Sequence, residues 1–94
     1  MNNPKIGLVT VLYNSPDVLP DFFSSLAKQD YNNYCLYIVD NSTSPESIEL
    51  AKKLSVDYSI PVYFIDNQGV NVGVAAGNNQ GAKEACNQGC DYIV

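Results

Sequence analysis

The chain contains no histidine, and its three cysteines, Cys35, Cys86 and Cys90, include no CxxC pair. A zinc site is excluded with them, because it needs thiolate and imidazole ligands at short, regular spacing. Cys86 and Cys90 stand one helical turn apart, a placement that reads as small apolar residues of a reduced protein. Cations are few as well: five Lys and Arg against ten Asp and Glu leave a net charge of -5. No basic stripe follows from this composition, so nucleic acid is not an expected partner and an anionic membrane would repel the chain. Any phosphate held here must rest on backbone amides, helix N-termini or a metal. The apolar start "IGLVTVL" is too short to cross a bilayer and lacks a signal-peptide cleavage pattern, which reads as a cytoplasmic chain. GxGxxG does not follow the first apolar run and GxxxxGK[ST] occurs nowhere, so neither a dinucleotide dehydrogenase nor a P-loop enzyme is expected.

What is present is a globular composition, 46% hydrophobic and 16% charged, in 94 residues, enough for one domain with a modest core. "IGLVTVL" (Ile6 to Leu12), "CLYIV" (Cys35 to Val39) and "VYFI" (Val62 to Ile65) are β-branched and aromatic runs suited to buried strands, and "DYIV" begins a fourth. Between them lie helical patterns. Ser15-Pro16-Asp17 and Ser44-Pro45-Glu46 each supply an N-cap, a proline at the first helical position and an acid in the first turn. Val18, Leu19, Phe22, Phe23 and Leu26 form the apolar face of the first helix; Ile48, Ala51 and Leu54 or Leu50 form that of the second. A third helix follows the glycines and ends at Asn87-Gln88-Gly89 with a glycine C-cap. Strands alternating with helices predict right-handed βαβ units and a parallel sheet covered on both faces.

Two features point beyond the fold. The strands end in Tyr13-Asn14, Asp40-Asn41 and Asp66-Asn67, and in an open parallel sheet the crevice beyond these ends is where ligands bind. Asparagine is also a good turn residue, but a tyrosine face and a carboxylate together suit a nucleobase or ribose. The second feature is a glycine at every fourth position, Gly69, Gly73, Gly77 and Gly81, running into a helix. Each helical glycine costs about 1 kcal/mol relative to alanine, so close packing or ligand approach must compensate. Small residues at Gly73, Ala75, Ala76, Gly77 and Gly81 would let the helix start close against the sheet.

"IGLVTVLYN", "YIVDNSTSPES" and "NVGVAAGNNQGAKEA" resemble, in order and spacing, the N-terminal half of family 2 glycosyltransferases, particularly the rhamnosyltransferase-like members. The resemblance covers nearly the whole chain. It implies an α/β fold, a parallel-sheet Rossmann-like sandwich forming the N-terminal half of a GT-A fold, with residues 1-94 as the nucleotide-sugar-binding segment. It implies inverting transfer from a nucleotide-diphosphate sugar to a carbohydrate or lipid-linked acceptor, in the cytoplasm or at the inner face of the membrane. It places Leu12, Tyr13, Asn14, Asp40, Asn41, Asn71, Gly73 and Asn79 beside the nucleotide, with Asp40 on the base. Leu12 stands where the family often has threonine, and Pro45 where it has a second acid. A divalent metal, Mg or Mn, is implied for the complete enzyme, with its DxD ligands and the catalytic base outside these residues. The isolated chain is accordingly expected to be inactive, and to self-associate through an uncovered sheet edge. The alternative is a non-catalytic nucleotide-binding or receiver-like interaction module.

Overall fold

The computed structural model describes residues 4–14, 16–30 and 33–94. Four strands, β1 (Ile6–Leu12), β2 (Tyr34–Asp40), β3 (Val62–Asp66) and β4 (Tyr92–Ile93), pair in parallel in the order β3-β2-β1-β4. The first three run in sequence across the sheet; the fourth returns to the far side of β1. That reversal is the topology of a doubly wound sheet, and it sets a crevice at the C-terminal ends of the strands.

Helices α1 (Leu19–Ala27) and α2 (Glu46–Asp57) pack on one face. There Leu12, Leu36 and Ile38 from the sheet meet Leu19, Phe23, Ala51 and Leu54 in a core from which water is excluded. Leu50 and Leu54 both join it, whereas Val18, expected on the inner face of the first helix, is 59% exposed. Its displacement has a local cause. Pro20 has no N–H to close an α-turn onto residue 16, and the chain makes a 3-10 turn over Pro16–Val18 before the α-helix starts. The expected cap at Ser15 lies outside the described residues. The expected cap at Ser44 is not formed: Pro45 is the residue at the cap position of α2, and it makes no side-chain cap hydrogen bond.

Helix α3 (Val74–Asn87) covers the other face, and its small residues explain how. Gly77 lies against Val11, Gly81 against Val9, and Ala85 against Gly7. Four residues of helix advance about 6 Å, and two residues of strand about 6.6 Å, so a four-residue helical period keeps step with alternate residues of an antiparallel neighbour. The valines of β1 thus sit in a groove along α3. Ala75 and Ala76, expected at this contact, are exposed; the contact begins one residue later. The four glycines therefore divide by function. Gly69 and Gly73, at φ +84° and +90°, turn the chain before the helix, and Gly77 and Gly81 pack it.

At the opposite end of α3, the Tyr37 ring is fully buried and its hydroxyl lies 3.4 Å from Cys90 Sγ. Burial, reinforced by that bond and by the neighbouring thiol of Cys35, pushes the Tyr37 hydroxyl well above its ordinary value of 10.0. Tyr37 therefore stays protonated in the folded chain at a pH where the unfolded chain has ionised it. Its contribution to stability is complete below pH 10 and is lost as pH rises from there toward the folded value. Tyr37→Phe should flatten the alkaline limb of the stability profile by about one proton, roughly 1.4 kcal/mol per pH unit above about pH 10. Urea unfolding between about pH 8 and 11 reads this directly, and identical slopes in the two proteins would refute it.

Candidate functional site

β1, β2 and β3 end level: Leu12 is paired with Asp40, and Asp40 with Asp66. Side chains alternate across a strand, so the repeated dipeptide Asp-Asn at the ends of β2 and β3 is split between the two faces. Asp40 and Asp66 turn to the α2 side. Asn41 and Asn67 turn to the α3 side.

On the α2 side, Asp40 and Asp66 line a cleft of about 230 Å³ together with Ser42, Thr43, Ser44, Pro45, Ile48, Gln68 and Gly69. Asp40 is 2% exposed, and its Oδ1 accepts the Ser42 N–H at 3.0 Å. Asp66 repeats the turn, its Oδ1 accepting the Gln68 N–H at 2.8 Å. Gln68 is held there at φ +55°, a conformation that non-glycine residues adopt rarely and that is stored where the surroundings over-determine it. A recessed carboxylate with one oxygen fixed by a backbone amide is a built acceptor for an N–H of a ligand. The volume is below the roughly 300–1,000 Å³ of whole-ligand pockets, so the cleft suits one planar part of a larger molecule.

The end of β1 is tied to the same loop. The Asn14 N–H donates to Ser42 Oγ at 2.7 Å, and the Thr43 N–H donates to Asn14 Oδ1 at 3.1 Å. Asn14 accepts φ +46° for this, as asparagine does more readily than most residues. Tyr13 precedes it, 51% exposed and outside the lining of the cleft. Leu12 lies in the core, 3% exposed, and meets the site through its carbonyl, which accepts the Asn41 N–H at 2.8 Å.

On the α3 side the asparagines are engaged within the protein. Asn41 Nδ2 donates to the Gly73 carbonyl at 3.1 Å, and its Oδ1 accepts from Asn67 Nδ2 at 2.6 Å. Asn71 Oδ1 accepts the Gly73 N–H at 2.9 Å, forming the turn into α3. Asn71, Gly73 and Asn79 are exposed. Residues missed by sequence reasoning are Ser42, Thr43, Gln68 and Gln80. Ser42 and Thr43 directly follow the Asp40-Asn41 pair, and that adjacency was a usable signal; Gln80 was invisible because its partner Asn67 comes from another element. Among the described residues, no group of three or more His, Cys, Asp or Glu could hold a metal ion. Among the same residues, no helix is long and apolar enough to cross a membrane.

The fold, a doubly wound parallel sheet, has a counterpart among solved proteins. The solved mannosyltransferase PcManGT from Pyrobaculum calidifontis, determined in complex with GDP-Man and Mn2+, superposes with a TM-score of 0.79 over 89% of this chain and 25% of its own. At 14% identity that likeness speaks to the fold. The sequence is 27% identical over 92 residues to the putative glycosyltransferase EpsE of Bacillus subtilis (strain 168), covering 98% of this chain and 32% of that protein. It is 32% identical over 94 residues to an uncharacterized glycosyltransferase of Haemophilus influenzae, covering 99% of this chain and 35% of that protein. The chain thus spans about a third of the length of the curated relatives it matches. The model of glycosyl transferase family 2 matches residues 8–94, from β1 through β4 and across every strand end that builds the site, and the chain belongs to that family.

Proposed function

We propose that the chain forms the nucleotide-binding part of an inverting glycosyltransferase that moves a sugar from a nucleoside-diphosphate donor to an acceptor hydroxyl. The observation that carries the reading is the recessed carboxylate of Asp40 in a cleft of base-like dimensions at the C-terminal edge of the sheet. In this reading the base enters between Asp40, Asp66 and Ile48, and the ribose and diphosphate run toward the reversal point between β1 and β4, past Tyr13 and Asn14. Tyr13 offers a ring face to the nucleoside. The start of α3, with Asn71 and Gly73, flanks the donor from the other face. Asn79 lies one residue before Gln80 on the same helix and belongs to the outer rim.

The Mn2+ of the mannosyltransferase neighbour belongs to that protein. Among the described residues no group of three or more His, Cys, Asp or Glu could hold a metal ion, so no step is assigned to a metal in this chain. The catalytic base, the acceptor site and any Mg or Mn ligands are proposed to come from the remainder of the enzyme. The acceptor is proposed to be a carbohydrate or lipid-linked hydroxyl, met in the cytoplasm or at the inner face of the membrane.

The test is ligand-linked stability of the full-length enzyme. A nucleoside diphosphate at about one hundred times its Kd should raise unfolding free energy by about 2.7 kcal/mol. Uridine, thymidine, cytidine, guanosine and adenosine diphosphates are titrated while melting temperature is followed. If none of the five shifts the transition at millimolar concentration, the nucleotide reading fails.

A further inference from the structure

The second residue of each Asp-Asn pair enters a closed chain of amides. Asn67 Nδ2 carries two protons and uses both, one to Asn41 Oδ1 at 2.6 Å and one to Gln80 Oε1 at 3.0 Å. Gln80 Nε2 returns a bond to Asn67 Oδ1 at 3.0 Å, and Asn41 Nδ2 passes the chain on to the Gly73 carbonyl at 3.1 Å. Every member has one orientation that satisfies the whole set, since reversing any amide places oxygen against oxygen. The packing leaves room for it: a methyl at Gly77 would come within 3.2 Å of Asn41 Nδ2. The chain joins the end of β2, the end of β3 and the second turn of α3 to Gly73, the residue from which α3 starts. Gly73 stands at φ +90° with open space where a Cβ would lie, its carbonyl accepting from Asn41 Nδ2 and its N–H donating to Asn71 Oδ1.

We propose that Asn67 and Gln80 are positioning residues for the donor, holding through Asn41 the segment 67–73 and the first turn of α3 at the height of the strand ends. This rests on the nucleotide reading above, in which that segment flanks the part of the donor beyond the base. Neither residue lines the base cleft, which lies on the other face of the sheet. Their loss should therefore weaken recognition of the diphosphate and sugar while leaving recognition of the nucleoside nearly intact.

The experiment uses the full-length enzyme carrying Gln80→Leu, close in size but without the amide, and Gln80→Glu, which keeps the acceptor and loses the donor. Binding of uridine and thymidine is compared with binding of their diphosphates, with melting temperature recorded alongside. The expected result is a loss of about tenfold in diphosphate affinity with less than about twofold change for the nucleosides. The exchange Asn67→Gln with Gln80→Asn, which keeps the summed length and both amides, should recover at least half of that loss. Should Gln80→Leu fail to fold, Gln80→Glu supplies the comparison. Equal weakening of nucleosides and diphosphates, or a lowered melting temperature with unchanged diphosphate affinity, overturns the positioning role while the nucleotide reading stands. Wild-type enzyme that binds neither class overturns both.

Discussion

Asp40→Asn in the full-length enzyme should bring the preference for uridine and thymidine diphosphates over cytidine diphosphate from about tenfold or more to near parity. The reason lies in what each base presents. Uracil and thymine offer an imide N–H at the ring position that faces the cleft, and cytosine offers an acceptor there. A carboxylate accepts the first in a charge-assisted bond and repels the second. Such a bond contributes about 1.5 to 3 kcal/mol, and two facing acceptors out of water cost a similar amount. The amide introduced by the substitution can turn to meet either base. It would not reproduce the charge, so uridine diphosphate should weaken while cytidine diphosphate improves. Asp40 also closes the turn at Ser42, and the substitution tests that role in the same experiment. If the carboxylate serves the turn alone, the melting temperature falls and the ranking of the three diphosphates stays as it was. That outcome would sink the base-reading role.

The aspartates and the asparagines at the strand ends differ in how far the sequence could reveal them. That Asp40 and Asp66 stand side by side follows from level parallel strands, and strand positions were legible because each is a short β-branched or aromatic run. β2 and β3 each extend one residue beyond the expected end, to Asp40 and Asp66, and this brings both carboxylates into the ladder itself. The partition of Asp to one face and Asn to the other was implicit in the two-residue period, yet it acquires meaning once α2 and α3 are known to lie on opposite faces. Gln80 could not be found from local pattern, since its bond to Asn67 depends on the depth to which α3 settles on β1. Helix starts depart from expectation for a different reason. A Ser-Pro-acid tripeptide is favourable cap chemistry in isolation, but the exit geometry from β2 makes Pro45 the cap residue of α2 and leaves Ser44 on the cleft wall. Family membership was legible in the three motifs together, because their spacing records the whole order of strands and helices.

Gly81→Ala should destabilise the protein, although alanine is the better helix former by about 1 kcal/mol. A methyl built at Gly81 overlaps Val9 Cγ1 and stands 3.3 Å from both Val9 Cβ and Val9 Cγ2. Valine cannot turn out of the way, because branching at Cβ restricts its rotamers and β1 is held between β2 and β4. Either α3 lifts from the sheet or the strand bends, and overpacking of this kind costs roughly 1 to 3 kcal/mol. The net loss for alanine is then up to about 2 kcal/mol, and a leucine at the same place should exceed it. Against a whole stability of roughly 5 to 15 kcal/mol, a loss of this size leaves the protein folded and is read as a lowered urea midpoint. The sign of the alanine effect is decisive. On a loosely seated helix the propensity gain would dominate and Gly81→Ala would raise the urea midpoint. On the groove seen here it lowers the midpoint, and Val9→Ala made in the same chain restores part of the loss by clearing the space. A double-mutant cycle on the full-length enzyme should show that coupling as at least about 1 kcal/mol, within the range measured for residues in contact. Strict additivity of the two substitutions would mean that α3 does not ride on Val9. The four-residue glycine period would then need another explanation.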